Sequence, residues 1–471
     1  TKILNKSLRK YSLPLFAASL LFVSSFFIAT KAQGAINTWN NFVDAYRSAG
    51  QDATITLTND LTGVSGAAIG APNGNNITIN GANKVLNSNK ISNLGFYDMG
   101  SKSLNFIDIS FYNFSVNNKG GAVINFANNS NAVFSGSISF VNNAAIGQRG
   151  GALYAISSRF SFTETTLSFI NNSANDAGGA LYANKNSDIS FANSSASFIG
   201  NTTSNKDSYG GSSIFARESS NVSFANSTIT FIENSAANNG GALLVDKNSN
   251  ISFTNSNVIF AENTAGFLGA AIFAYENSNI SFENSTATFT NNNSSEGGFP
   301  FLGAAIFLGE GSKLTFTNST LKFQDNFVDN TIRMDIYLMN AQSAVTFSGA
   351  NAISNGILIS GDGGIVKKTG AGSLIFQGDK NNPTIIQNNF SVEGGAVEFQ
   401  NAVSTITTLN VQNATLSLSN EIAASTLYVT GNLNLTGTLK IDIDFNEGLA
   451  DWIYVGGKFN INNNSNLAIN T

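Results

Sequence analysis

The chain has 471 residues, with 24 Lys/Arg against 29 Asp/Glu, 44 Gly, 4 Pro, and neither cysteine nor histidine. That inventory excludes disulfides, thiolate nucleophiles, zinc sites of the usual ligand set and the commonest general base, so any chemistry must run on carboxylates. Regular apolar residues persist throughout, unlike a disordered chain, and the lack of cysteine suits export through a narrow pore across an oxidising compartment.

Residues 1–32 read as a signal peptide. Lys2, Lys6, Arg9 and Lys10 form a basic start, Leu13 to Ala29 an apolar run, and cleavage is expected after Ala32 or shortly beyond. A membrane anchor fits less well, because the run is short and holds Pro14, Ser19, Ser24 and Ser25. Removing these residues takes away five Lys/Arg and no acid, leaving 19 basic against 29 acidic residues and a formal charge of −10. An acidic chain argues against nucleic acid and anionic membrane surfaces as partners.

Residues 33–110 are expected to form an N-terminal cap and the first coils. In Thr38 to Ser48, Trp39, Phe42, Val43 and Tyr46 recur at helical spacing behind a candidate N-cap, Thr38. Such a helix would close the open apolar end of a solenoid. The alternation in Ile55-Thr56-Leu57 and Ile77-Thr78-Ile79 predicts the first strands, and residues 91–116 repeat it less cleanly.

The body, residues 111–326, is one unit written again and again: Gly-Gly-Ala, Ser-Phe-x-Asn-Ser, Phe-x-x-Asn. The last motif starts at Phe140, Phe169, Phe198, Phe231, Phe260, Phe289 and Phe323, in steps of 29, 29, 33, 29, 29 and 34 residues. A fixed period near 29 marks a repeat architecture. Three strand-like pieces per unit, joined by polar corners, predict an all-β chain, a parallel β-helix solenoid with three short strands per coil. A β-propeller wants longer blades, and the alternation excludes a helical solenoid.

In such a coil, equal positions of successive turns stack about 4.8 Å apart. Phe191, Phe224, Phe253, Phe282 and Phe316 form one column. Two columns of asparagine are expected to run as internal structural ladders: Asn143, Asn172, Asn201, Asn234, Asn263, Asn292 and Asn326, and separately Asn193, Asn226, Asn255, Asn284 and Asn318. The glycine pairs at 120/121, 150/151, 178/179, 210/211 and 240/241 weaken to Gly269-Ala270 and Gly303-Ala304. The first glycine of each is therefore expected to hold the strained backbone. Lys185, Glu218, Lys247, Glu276 and Glu310 fall at equivalent places and read as a solvated charge ladder.

Insertions offer the exposed candidates. Thr202 to Tyr209 and Ser294 to Leu302 are read as loops, with Tyr209, Phe299 and Phe301 as candidate binding residues. From about residue 327 to 471 the period is lost while strands continue, including a glycine-punctuated pair over 363–378. Gly361-Asp362-Gly363-Gly364 reads as a turn.

The pairing of Gly240-Gly241-Ala242-Leu243 with Phe260-Ala261-Glu262-Asn263, repeated along the chain, resembles the repeat of chlamydial polymorphic membrane proteins. Lys368-Thr369-Gly370-Ala371-Gly372-Ser373-Leu374 is similar to the autotransporter-associated β-strand repeat, and the block from Leu439 to Gly456 resembles the end of autotransporter passenger domains. These resemblances imply a right-handed β-helical passenger displayed at the bacterial surface, outer membrane or extracellular space, in a family whose members commonly act as adhesins. The expected partners are a host-cell or matrix receptor, a glycan, or further copies of the chain. Passengers of this kind are followed by an outer-membrane barrel, which is not among these residues. A polysaccharide-active β-helix would need carboxylates converging on one face. Asp176, Asp188, Asp207 and Asp246 fall in different columns, so no catalytic, cofactor or metal residues are assigned, and the competing functions are such an enzyme or a purely structural surface-layer protein.

Overall fold

Along Asp188–Ala192 and Ser195–Ile199 every second residue is buried: Ile189 and Phe191, then Ala196 and Phe198. A period of two gives each strand one apolar face, and in a computed structural model of the chain those faces close around a common interior. The structure describes residues 35–471 apart from 66–68, 98–99, 208, 296–304, 401–402, 419–424 and 446. The signal peptide expected over 1–32 and the candidates Phe299 and Phe301 lie outside the described residues.

The fold is a parallel β-helix. Through the central coils each strand pairs in parallel with its counterpart one coil away and in register: Phe191 faces Phe224, Phe224 faces Phe253, and Phe253 faces Phe282. Their rings stack at 4.5, 4.9 and 4.7 Å between centroids. A second column, Phe198, Phe231, Phe260 and Phe289, stacks at 4.9 Å throughout. The two columns meet edge to face, as with Phe224 and Phe231 at 6.3 Å and 88°. Offset stacks along the axis and edge contacts across it are the geometries that aromatic quadrupoles favour.

A coil of the repeat body has four faces rather than the expected three. After strands such as Leu181–Asn184, Asp188–Ala192 and Ser195–Ile199 comes a two-residue strand, Thr202–Thr203, belonging to a separate sheet. That sheet runs from Ser115–Asn117 to Ile332–Arg333. Each of these strands is too short to carry an alternation, so no periodic signal exposes it. Thr202 and Thr203 thereby belong to a strand, and the insertion of that coil begins only after them.

The loss of period after residue 327 has the same origin. The fourth sheet ends at Ile332–Arg333, and the next coils go directly from Asn351–Ser354 to Leu358–Gly361. Val345 pairs with Val366, only 21 positions on, yet the pairing stays parallel and in register. The solenoid continues with shorter coils, and Ile365–Thr369 and Ser373–Gln377 are two strands of one of them, each stacked on its counterpart in the coil before.

At the N-terminal end, Trp39–Ser48 is helical, and Thr38 Oγ1 accepts the Asn41 N–H at 3.2 Å. Trp39, Phe42, Val43 and Tyr46 are buried, and the ring of Tyr46 meets Phe96 at 5.4 Å edge to face. The helix thus covers the first coil, whose interior would otherwise face water.

The glycine column follows register rather than the written motif. Left-handed φ values between 63° and 68° occur at Gly121, Gly150, Gly178, Gly211, Gly240 and Gly269, which share one structural position. In two coils, 120/121 and 210/211, that position is the second glycine of the pair; this corrects the expectation at Gly121, whereas at 210/211 the first glycine is strained as well, with a φ of 113° at Gly210. A side chain there would collide with a carbonyl oxygen: at Gly240, a Cβ would lie 2.5 Å from Leu243 O.

Candidate functional site

The asparagines of the Phe-x-x-Asn motif face inward. Asn143, Asn172, Asn201, Asn234, Asn263, Asn292 and Asn326 are fully buried. Each Nδ2 donates to the Oδ1 of the next, as Asn201 to Asn234 at 3.0 Å and Asn234 to Asn263 at 2.9 Å. Each Oδ1 also accepts the backbone N–H of the preceding asparagine. All the amides point one way, so the chain of bonds has a donor end. There Asn326 Nδ2 donates to the carboxylate of buried Asp335 at 3.0 Å. The other oxygen of Asp335 accepts from Leu358 N at 2.8 Å and Arg333 Nη2 at 3.1 Å. Burial pushes the Asp335 carboxyl up, opposed first by Arg333.

The second asparagine column lies outside. Asn193, Asn226, Asn255, Asn284 and Asn318 are exposed and left-handed, with φ from 48° to 51°. Asn226 and Asn255 each donate to the asparagine one coil back at 3.2 and 3.1 Å, in contact with solvent. The buried ladder at this corner is formed by the following serine. Ser194 N donates to Ser227 Oγ and Ser227 N to Ser256 Oγ, at 3.1 and 3.2 Å. Asparagine tolerates the left-handed corner, and that conformation turns the next side chain inward.

The chemistry therefore sits on the exterior of the face built from strands such as Leu181–Asn184, Ile214–Ala216, Leu243–Val245 and Ile272–Ala274. Here the central residue points out, making a column of Tyr154, Tyr182, Phe215, Leu244, Phe273, Phe307 and Tyr337. Segments preceding the next strand cover it: Ala177, Leu268, Val328 and Met334 pack on these side chains in a second apolar layer. Phe273 and Phe307 stack at 5.1 Å and 4°.

Two residues further along each strand, a neighbouring column changes chemistry at every coil. It reads Asn184, Arg217, Asp246, Tyr275. Arg217 Nε lies 3.2 Å from Asp246 Oδ2, its guanidinium sits 4.3 Å over the Tyr209 ring, and Nη2 donates to Tyr209 Oη at 2.9 Å. Arg149 makes a similar set, donating to Tyr182 Oη at 3.2 Å with Asp176 at 3.9 Å.

Beside them runs a groove of about 460 Å³. Leu244, Phe267, Phe273 and Phe307 form its apolar wall, and Asp246, Glu276 and Asp362 supply carboxylates. The Asp246 side chain is 4% exposed, and its buried Oδ1 has no hydrogen-bond partner among the described residues. Burial first, and the nearby Glu276 second, push its carboxyl up to about 6 against the pull of Arg217. Tyr275 donates to Glu310, which together with burial pushes the phenol up to about 12.

Of the residues expected to bind, Tyr209 lines this groove, with its ring 5.7 Å from Phe215. Lys185, Glu218, Lys247, Glu276 and Glu310 do stack at one left-handed corner, with φ between 35° and 53°. No ion pair joins neighbouring members among the described residues, and Glu218 pairs instead with Arg217 at 3.8 Å. Asp246, Glu276 and Asp362 were separated by sequence column, yet the structure brings them to one groove. The available signal was the column of Asn184, Arg217 and Asp246, where chemistry varies on a scaffold that otherwise repeats.

Residues 166–184 and 228–246 match the repeat of the Chlamydia polymorphic membrane protein family. Comparison with curated proteins and with solved structures gave no match.

Proposed function

Starting from the two stretches that match the polymorphic membrane protein repeat, we propose that the chain is a surface-exposed or secreted bacterial β-helical passenger with an adhesin-like role. The observation that carries this reading is the division of labour across the wall of the solenoid. The repeated Phe residues and the asparagine column from Asn143 to Asn326 are sealed inside as scaffold, while the variable column and its groove lie on the outer side of the wall. Rungs extend that face away from the cell, and weak contacts repeated along it add through avidity.

The test is saturable binding of a soluble chain, residues 35–471, to cultured cells, matrix-coated surfaces or glycan arrays. Binding that fails on all three, with concentration-dependent assembly of the chain alone, would favour a purely structural surface-layer protein. One observation favours a second reading, a polysaccharide-active enzyme: Asp246 and Glu276 adjoin in the groove, and their interaction helps hold the Asp246 carboxyl high. Carboxylates with unlike environments are the raw material of acid–base catalysis. Sugar release from a polysaccharide panel, abolished in Glu276→Gln, would replace the adhesin reading with that one.

A further inference from the structure

We infer that the groove takes an extended, cationic and apolar segment of a partner protein, with basic side chains at its two ends and apolar side chains between. This rests on the reading of the groove-bearing face as the binding surface.

The charge is one-sided. Among the described residues, Asp246, Glu276 and Asp362 line the groove and no lysine or arginine does. The nearest guanidinium, that of Arg217, is already committed to Asp246 Oδ2 and to the ring and hydroxyl of Tyr209. Among the described residues the buried Oδ1 of Asp246 makes no hydrogen bond, and neither does the adjacent Arg217 Nε, so the pair is incompletely satisfied even with Lys247 nearby. An unsatisfied buried acceptor is costly, and an ammonium or guanidinium is the donor that relieves it best. Sialylated or sulfated glycans would meet like charge. A neutral sugar would find few free ring faces, because Phe273 and Phe307 are stacked on each other.

The length follows from register. Asp246, Tyr275, Gly309, Met339 and Asp362 each follow by one residue a set of paired positions in five successive coils. Four steps of about 4.8 Å place Asp246 and Asp362 about 19 Å apart along the axis. An extended peptide covers about 3.3 Å per residue, so six residues span the gap. Six is even, so both basic side chains and the second and fourth residues between them project to one side of the strand. Phe273 and Phe307, one and two coils on from Asp246, lie between the two carboxylates along the axis, with Leu244 beside Asp246 in its own coil.

The probe is an N-acetylated, C-amidated, fluorescently labelled heptapeptide, Lys-Ser-Leu-Ser-Phe-Ser-Lys, titrated into residues 35–471, which form one compact unit. The expected result is saturable binding at pH 7.5. Binding should be at least tenfold weaker for the peptide with Glu at both ends, and about tenfold weaker for Asp362→Asn with the Lys peptide. Asp362 is exposed, so this variant leaves the fold intact, and circular dichroism verifies it. Equal affinity for the Lys and Glu peptides, or unchanged affinity in both Asp362→Asn and Asp246→Asn, overturns the inference. So does a neutral glycan that competes at the groove and is lost in Asp362→Asn. If the peptide fails while the chain still binds cells, only this inference falls; if cell binding is absent as well, the binding function itself falls.

Discussion

Replacing Asn234 by alanine tests whether the repeated motif is scaffold. The side chain makes four hydrogen bonds: its Oδ1 accepts from Asn201 N and Asn201 Nδ2, both at 3.0 Å, and its Nδ2 donates to Phe198 O and Asn263 Oδ1, both at 2.9 Å. The site is fully buried, so water does not replace these partners. At about 1 kcal/mol for each bond the loss comes to about 4 kcal/mol, and the orphaned N–H of Asn201 keeps it from being smaller. The matched control is Asn255→Gly in the exposed column, where glycine keeps the left-handed backbone and solvent replaces the lost bond; there the cost is expected to be about 0.5 kcal/mol or less. Urea unfolding of residues 35–471 measures both. Hydrogen exchange localises the first, because a solenoid opens near its weakest coil, and the amide of Asn201 should lose protection in Asn234→Ala alone. A cost below about 1 kcal/mol for Asn234→Ala, or equal costs for the two variants, would refute the assignment of inner and outer ladders.

Gly240→Ala forces a side chain into a left-handed conformation with a Cβ 2.5 Å from Leu243 O, so it should destabilise by about 1–2 kcal/mol or more in the same urea assay. Asp335→Leu removes the acceptor of Asn326, Leu358 N and Arg333 together and should cost about 3–5 kcal/mol, read as an earlier urea midpoint with lost exchange protection near residue 326. For Asp246 the folded carboxyl lies near 6, above its unfolded value near 3.9, so its contribution to stability is fully present below about pH 4 and lost as pH rises through about 6. The stability of the parent chain relative to Asp246→Asn should therefore fall between pH 4 and 6.5 in thermal melts, and a flat difference would contradict the burial of this carboxyl. Over the same window ionisation of Asp246, beside Glu276, Arg217 and Lys247, should strengthen binding of the Lys heptapeptide.

Much of the architecture was legible because a solenoid writes its tertiary contacts into its period. Phe191, Phe224 and Phe253 recur at equal spacing because they lie directly above one another, so counting residues was equivalent to measuring register. The capping helix was readable from the 3.6-residue spacing of Trp39, Phe42, Val43 and Tyr46, which local geometry alone imposes. Direction at the corners was not readable: Asn193 and Asn201 both follow a phenylalanine in a repeated motif, but a left-handed φ of 51° turns the first outward while the second stays buried. Likewise the glycine with positive φ is set by coil register, which shifts by one residue at Gly121 and Gly211.

The sequence by itself therefore determined the repeat, the parallel stacking, the aromatic interior and the lack of cysteine and histidine chemistry, since each is a matter of residue type and period. Only the tertiary structure decided which side of the wall a polar residue occupies, that a fourth strand closes each coil of the repeat body, and that Asp246, Glu276 and Asp362 share a groove. The reason is that residues more than a hundred positions apart meet through the stacking of coils, and the shortened coils after residue 333 move Asp362 into the column of Asp246 by a step that no constant period predicts.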